Sequence, residues 1–298
     1  MGTPEFAVPS LAALVENHLV PVAVVTAPDR PSGRGLQLTP SPVKRYALEH
    51  GIALLQPEKL RDPAFLAQLD ALEVDLMVVV AFRMLPEVVW TKPRLGTFNL
   101  HASLLPDYRG AAPINWAIMQ GETETGITTF FIEKAIDTGH IIFQEREPIS
   151  PHDTAGSLYE RLRHKGAQLV LKTVRAVVAG EYPQLPQPTA PIEKTPPKLH
   201  KETFEIHWGQ PAEQIRNFVR GLAPFPGAWT RWRGQSCKLY SVSVLPDESP
   251  GTPVGQWYTD QKKELWCRAT DAWVKVEEIQ LEGKKRLKTD ELLRGIKW

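Results

Sequence analysis

Apolar residues follow two spacings along the first half of the chain. The runs "LVPVAVVT" (19–26) and "VDLMVVVA" (74–81) are almost continuously apolar, as strands covered on both faces of a parallel sheet must be. Between them Ser41-Pro42 opens a helix that Gly51 ends, and Asp62-Pro63 opens another. Each pair is a capping residue followed by proline at the first helical position. "LGTFNLH" (95–101) predicts a further strand and "PINWAIMQG" (113–121) a short helix. "TGITTFFIE" (125–133) and "HIIFQERE" (140–147) predict two strands able to pair antiparallel, and a long helix runs from Asp153 to about Ala179. Strand–helix alternation at this spacing predicts a doubly wound, Rossmann-like α/β domain over residues 1–182.

The pattern then breaks. "PQLPQPTAPIEKTPP" (183–197) holds six prolines in fifteen residues, which predicts an extended linker over 183–203 with no packed element. Beyond it, "PAEQIRNFVRGL" (211–222) sets Ile215, Phe218, Val219 and Leu222 on one helix face. Short strands with Gly and Asp turn signals follow, in "GAWTRWRGQSCKLYSVSVL", "GTPVGQWYT" and "ELWCRATDAWVKVEEIQL". They predict a small OB-like β-barrel over 204–298.

The 298 residues suit two domains, and no run approaches the ~18 apolar residues of a membrane span. "MGTPEFAVPSLAALV" lacks the basic start of a secretory signal, and Phe6 stands where a myristoylation signal needs Ser or Thr. Cys237 and Cys267 are the only cysteines and lack Cys-x-x-Cys spacing, so neither a metal site nor a disulfide framework is expected, and a cytoplasmic enzyme is. Net charge is +1, but residues 1–189 carry 17 Lys+Arg against 20 Asp+Glu and residues 190–298 carry 18 against 14. Either a polyanionic partner meets the more basic second part, or the charge is ordinary solvated scatter.

In "NLHASLLPDYRG" (99–110), Asn99 and His101 lie two apart at a strand end and so share a face. Ligands of such sheets bind beyond the carboxyl ends of the strands. An amide and an imidazole aimed at one point can form an oxyanion hole; alternatively Asn99 caps a turn and His101 is a satisfied, half-buried histidine. Asp137 in "AIDTGHII" leaves the strand 125–133, where a carboxylate could orient His101, favour its charged ring and accept a proton, or could merely form an Asx turn. Ser103 is the nearest hydroxyl but has no glycine elbow around it, so transfer without a covalent intermediate is favoured.

The segments "GTPEFAVPSL" (2–11), "APDRPSGRGLQLTPSPVK" (27–44), "FNLHASLLPDYRGAAPI" (98–114), "IDTGHII" (136–142), "VRGLAPFPGAW" (219–229) and "LEGKKRLKTDELLRG" (281–295) carry a resemblance over nearly the whole chain. The chain resembles the family of formyltransferases that use 10-formyltetrahydrofolate, and within it those acting on methionyl-tRNA. The resemblance implies transfer of a formyl group to the α-amino group of methionine on initiator tRNA. It assigns Asn99, His101 and Asp137 to catalysis and names no metal. Folate is implied in the cleft at the ends of strands 74–81 and 95–101, near Phe82, Met84 and Leu85 and against Ser103, Leu104, Leu105 and Pro106. The chain departs from the family there, because "AFRMLP" (81–86) is one residue shorter than the usual segment and lacks its glycine.

The loop "PDRPSGRGLQLTPSPVK" exceeds an ordinary strand–helix connection of ~2–6 residues. The resemblance implies that it reaches the tRNA acceptor end, with Arg34 as the probe and Arg30 and Lys44 beside it. Lys284, Lys285, Arg286 and Lys288 form a second basic cluster for tRNA phosphates, or else a solvated face. Family members also have a short apolar strand before Gly-Thr-Pro; without it the sheet should hold a slot one strand wide, and the natural start is expected upstream. A monomer is expected by analogy. Other readings are a relative formylating an amino sugar or a ribonucleotide, a formyl-folate hydrolase, and a tRNA-binding module with a decayed catalytic domain.

Overall fold

The computed structural model describes residues 1–32, 37–188, 194, 197–246 and 251–296. These form two compact units, one of residues 1–110, 126–147 and 159–195, the other of 111–125, 148–158 and 196–298.

The first unit begins with α1 (Val8–Glu16), then β1 (Val24–Val25) and a hairpin of β2 (Arg30–Ser32) with β3 (Gln37–Thr39). Helix α2 (Pro42–Glu49) starts where the sequence signals it: Ser41 accepts the Lys44 amide at 3.0 Å. After β4 (Leu54–Leu55), α3 (Pro63–Ala71) starts in the same way, with Asp62 accepting the Ala64 amide at 2.8 Å. Next along the chain come β5 (Met77–Val80), α4 (Glu87–Trp90), β6 (Thr97–His101), α5 (Pro113–Met119), which belongs to the second unit, β7 (Glu124–Phe131), β8 (Ile141–Pro148) and α6 (Ala155–Ala179), whose first turn also belongs to the second unit.

The order β5-β6-β7-β8 makes a four-stranded mixed sheet, with β5 parallel and β7 antiparallel to β6. Strand β1 pairs in parallel with β4, apart from that sheet. Met1 and Gly2 bridge the gap between β1 and β5. Gly2 N–H donates to the Val25 carbonyl at 3.1 Å and Val80 N–H to the Met1 carbonyl at 2.9 Å. The Met1 amine donates to the Val78 carbonyl at 2.6 Å, and burial pushes its pKa down to about 5. The rest of the gap is a cavity of about 150 Å³ lined by residues including Leu11, Leu14, Val24 and Met77, and the buried Ser10 hydroxyl has no partner among the described residues.

Strand β6 is anchored on the helix side by α6, because Leu100 packs where a Cβ on Gly166 would stand, 2.7 Å away. Thr129 and Thr173 join hydroxyls across β7 and α6 at 2.9 Å. The proline-rich segment differs from its expectation: Leu185 exchanges backbone hydrogen bonds with Ile141 at 2.8 and 3.0 Å, extending the β8 edge. Proline lacks an amide donor but leaves its neighbours able to pair.

In the second unit α5 packs on α7 (Ala212–Leu222), where Gly221 approaches Met119 and Asn115 too closely for a Cβ. Strands β9 (Ala228–Trp232), β10 (Gln235–Leu245), β11 (Trp257–Thr259), β12 (Leu265–Arg268), β13 (Trp273–Leu281) and β14 (Leu287–Lys288) form one antiparallel sheet, in the order β11-β12-β13-β10-β9 with β14 on β13. Helix α8 (Thr289–Arg294) ends the unit. The sheet curls around Ile215, Val219, Leu222, Leu239, Leu265 and Val274 as a half-barrel, the open form of the OB-like barrel expected.

Candidate active site

Strand β6 positions the first two candidates. Asn99 lies opposite Val79 and Phe130, and His101 opposite Thr128. Being two apart they share a face at the carboxyl end of the strand. Asn99 is half-buried, and among the described residues its carboxamide has no hydrogen-bond partner. His101 is buried; its Nε2 lies 2.8 Å from the Tyr108 carbonyl oxygen and its Nδ1 lies 3.7 Å from Asp137 Oδ2. A carbonyl only accepts, so Nε2 carries a proton and donates it there. The 3.7 Å gap on the other side is too wide for a direct hydrogen bond but places the ring edge and the carboxylate around one point.

Backbone conformations that side chains rarely adopt produce this arrangement. Tyr108 has φ +58° and Asp137 φ +54°, both left-handed. The strain turns the Tyr108 carbonyl onto the imidazole and the Asp137 carboxylate back toward it. Asp137 Oδ2 also accepts the Gly110 amide at 2.8 Å. Burial pulls the pKa of the neighbouring Arg109 guanidinium down, partly offset by the charge of Asp137.

The other expected residues divide by environment. Ser103 is fully buried: its hydroxyl donates to the Asp107 carbonyl at 2.6 Å and its carbonyl accepts from Thr128 Oγ1 at 2.7 Å. Leu105 is buried with Phe130 and Ile141, and its amide donates to Thr128 Oγ1 at 3.2 Å. Leu104 packs against Gly126, while Pro106 is half-buried. Leu85 is in the core beside β5 and Phe82 packs on that core, whereas Met84 is 80% exposed. In the shortened segment, Arg83 donates to the carbonyls of Pro57 and Glu58, so a side chain braces the loop whose glycine is absent.

Among the basic residues, Arg30 is exposed and Arg34 lies outside the described residues. Lys44 is tied to Asp29 at 2.6 Å, and Asp29 is held below the usual carboxylate range by that bond and by one from Gln56. Lys284 and Lys285 are exposed; Arg286 pairs with Glu278 and lies 4.3 Å over the Tyr240 ring. Tyr108, Gly110 and Gln187 were not among the expected site residues. The first two stand inside the quoted "PDYRG", but their contributions are backbone atoms that sequence does not aim. Gln187 carried no signal beyond being an amide among prolines.

A family model described as formyl transferase matches residues 1–174, and one described as formyl transferase, C-terminal domain, matches residues 198–297. The chain belongs to the formyl transferase family. Among its relatives, proteins named methionyl-tRNA formyltransferase from Bacteroides fragilis and Bacteroides thetaiotaomicron are 50% and 49% identical, covering 99% and 100% of this chain and 93% and 94% of theirs. One from Syntrophus aciditrophicus is 44% identical over 100% of this chain and 95% of its own. Among solved structures, a sugar 3N-formyl transferase has a TM-score of 0.67 at 20% identity, covering 95% of this chain and 97% of its own. HypX from Aquifex aeolicus in complex with tetrahydrofolic acid has a TM-score of 0.59 at 20% identity, over 83% of this chain and 43% of its own. In this formyl transferase the amide, imidazole and carboxylate therefore lie in a fold shared with the sugar 3N-formyl transferase and with HypX.

Proposed function

We propose that this formyl transferase moves a formyl group from 10-formyltetrahydrofolate to the α-amino group of methionine carried by initiator tRNA. The observation that carries the reading is the gathering of His101 and Asp137 beside the unpartnered Asn99 amide at the end of β6. Identity of 44–50% to proteins named for methionyl-tRNA, against 20% to a sugar enzyme, favours the tRNA-borne acceptor.

The chemistry asks for donors more than for a strong base. A free α-amino group has a pKa of ~7.7–8.0, so neutral amine is available near pH 7. Its nitrogen bonds to the formyl carbon, and the formyl oxygen takes up the displaced electron pair. Asn99 donates to that oxygen; because the Tyr108 carbonyl takes the Nε2 proton of His101, the ring adds a second donor through Nδ1–H, in its charged form beside the Asp137 carboxylate. The amine nitrogen then loses one proton, for which Asp137 is the acceptor, directly or through water. The oxygen's electron pair then re-forms the carbonyl as the bond from carbon to N10 breaks, N10 gains one proton, and tetrahydrofolate leaves.

Phe82, Met84 and Leu85, with Leu104, Leu105 and Pro106, suit an apolar ring system, although buried Leu85 and Leu105 can serve only through backbone or as support. Ser103 acts by holding the 103–107 turn. Arg30 and Arg34 would meet the acceptor end and Lys284 and Lys285 its phosphates. Lys44 and Arg286, already paired, would brace those surfaces.

Tetrahydrofolate release measured with charged initiator tRNA, uncharged tRNA, a nucleotide-linked amino sugar and buffer alone tests this assignment. Release that requires the charged tRNA supports it. Equal release with the amino sugar, or with water as acceptor, overturns it.

A further inference from the structure

We infer that Gln187, in the proline-rich segment, is a positioning residue that holds the Asp137 carboxylate in place for transfer. The inference rests on the reading of Asp137 given above. Gln187 is only 9% exposed, and every hydrogen-bonding position of its carboxamide is filled. Its Nε2 donates to the Asp137 carbonyl at 3.0 Å and to the Gly139 carbonyl at 2.8 Å. Its Oε1 accepts from Arg109 Nε at 3.1 Å and Nη2 at 2.6 Å.

These contacts close a ring. From Gln187 the path runs to the Asp137 backbone, through the Asp137 carboxylate to the Gly110 amide, and through Arg109 back to Gln187. Both ends of the carboxylate's support, its own strained backbone and the residue next to its amide donor, are therefore clamped by one side chain. The loop has no slack elsewhere: a Cβ on Gly139 would come within 1.8 Å of the Phe131 carbonyl, and the Leu185–Ile141 pairing fixes the segment that carries Gln187. Without the clamp Asp137 keeps its left-handed φ only at a cost, and relaxation would swing its carboxylate away from His101.

Only an amide suits the position. A carboxylate at 187 would still accept from Arg109 but would set an oxygen against two carbonyl oxygens. Gln187→Glu is therefore expected to be impaired although its size is unchanged.

The test is a double-mutant cycle on formyl transfer to charged tRNA, with folding checked by circular dichroism and melting. Gln187→Ala should lower kcat ~10–100-fold, the scale of a misplaced reacting group, with KM for formyl-folate changed less than about twofold. In an Asp137→Asn background the same change should cost less than about twofold more. If Gln187→Ala does not fold, Gln187→Glu takes its place in the cycle. Losses that multiply in the double variant, or full activity of Gln187→Glu, would overturn the inference while leaving Asp137 its role. Full activity of Asp137→Asn alone would instead overturn the role of Asp137, and the inference with it.

Discussion

Oδ2 of Asp137 accepts the Gly110 amide at 2.8 Å and faces Nδ1 of His101 at 3.7 Å. One oxygen thus serves as a fixed point for the backbone and as the partner of the ring. Replacing Asp137 by Asn keeps the shape and removes the charge and the proton-accepting power. The expected result is a kcat for transfer reduced by ~10²–10⁴, the range for a lost general base, with formyl-folate affinity nearly unchanged. Stopped-flow folate binding alongside steady-state kinetics separates the two effects.

Lys284, Lys285 and Arg286 are all exposed, but Arg286 is held by Glu278 and Tyr240. If both lysines meet phosphates, the paired Lys→Ala variant should weaken tRNA binding. It should also reduce the slope of log K against log salt by about 2, roughly 1 for each contact. Folate binding should not move. An unchanged slope would place the tRNA elsewhere.

Glu147 ends β8 with its carboxylate almost buried, 2.7 Å from Arg161 Nε and 2.5 Å from Lys165 Nζ. Burial works to raise its pKa, but the bonds from Lys165 and Arg161 more than offset this and hold it below the ordinary value. Glu147→Gln should cost about 1–3 kcal/mol, less than a fully buried pair because Arg161 is partly exposed. The carboxylate stabilises above its unfolded pKa of about 4.3, and that contribution is lost as pH falls through the lower folded value. Wild type and variant should therefore differ in urea midpoint at pH 7 and converge in strong acid.

Cys237 in β10 and Cys267 in β12 are both buried, and burial pushes the Cys237 thiol up to about 12 and Cys267 higher still. Native protein should not react with a thiol-specific disulfide reagent at pH 8 over minutes, and two thiols should titrate in urea. Prompt labelling of the native protein would contradict the packing of the half-barrel.

What could be read from sequence and what could not have physical reasons. Ser41-Pro42 and Asp62-Pro63 mark helix starts because their signal is local, and both cap as expected. The Asn99/His101 pair was legible because strand geometry alone puts residues two apart on one face. The meeting of His101 with Asp137 depends on a pairing across the sheet and on two left-handed residues, which only tertiary structure sets. The run 19–26 yields a strand of only two residues, Val24–Val25, because pairing rather than apolarity limits its length. The docking of Leu185 and Gln187 was hidden because proline content describes the chain's stiffness and not what lies beside it.

The most direct test of the transfer centre is the single-turnover rate of formyl transfer by Asn99→Ala, saturated with formyl-folate and charged initiator tRNA. Loss of this one oxyanion donor should lower the rate by ~10²–10³ with both substrates still bound. A rate near that of the wild type would contradict the donor role of Asn99.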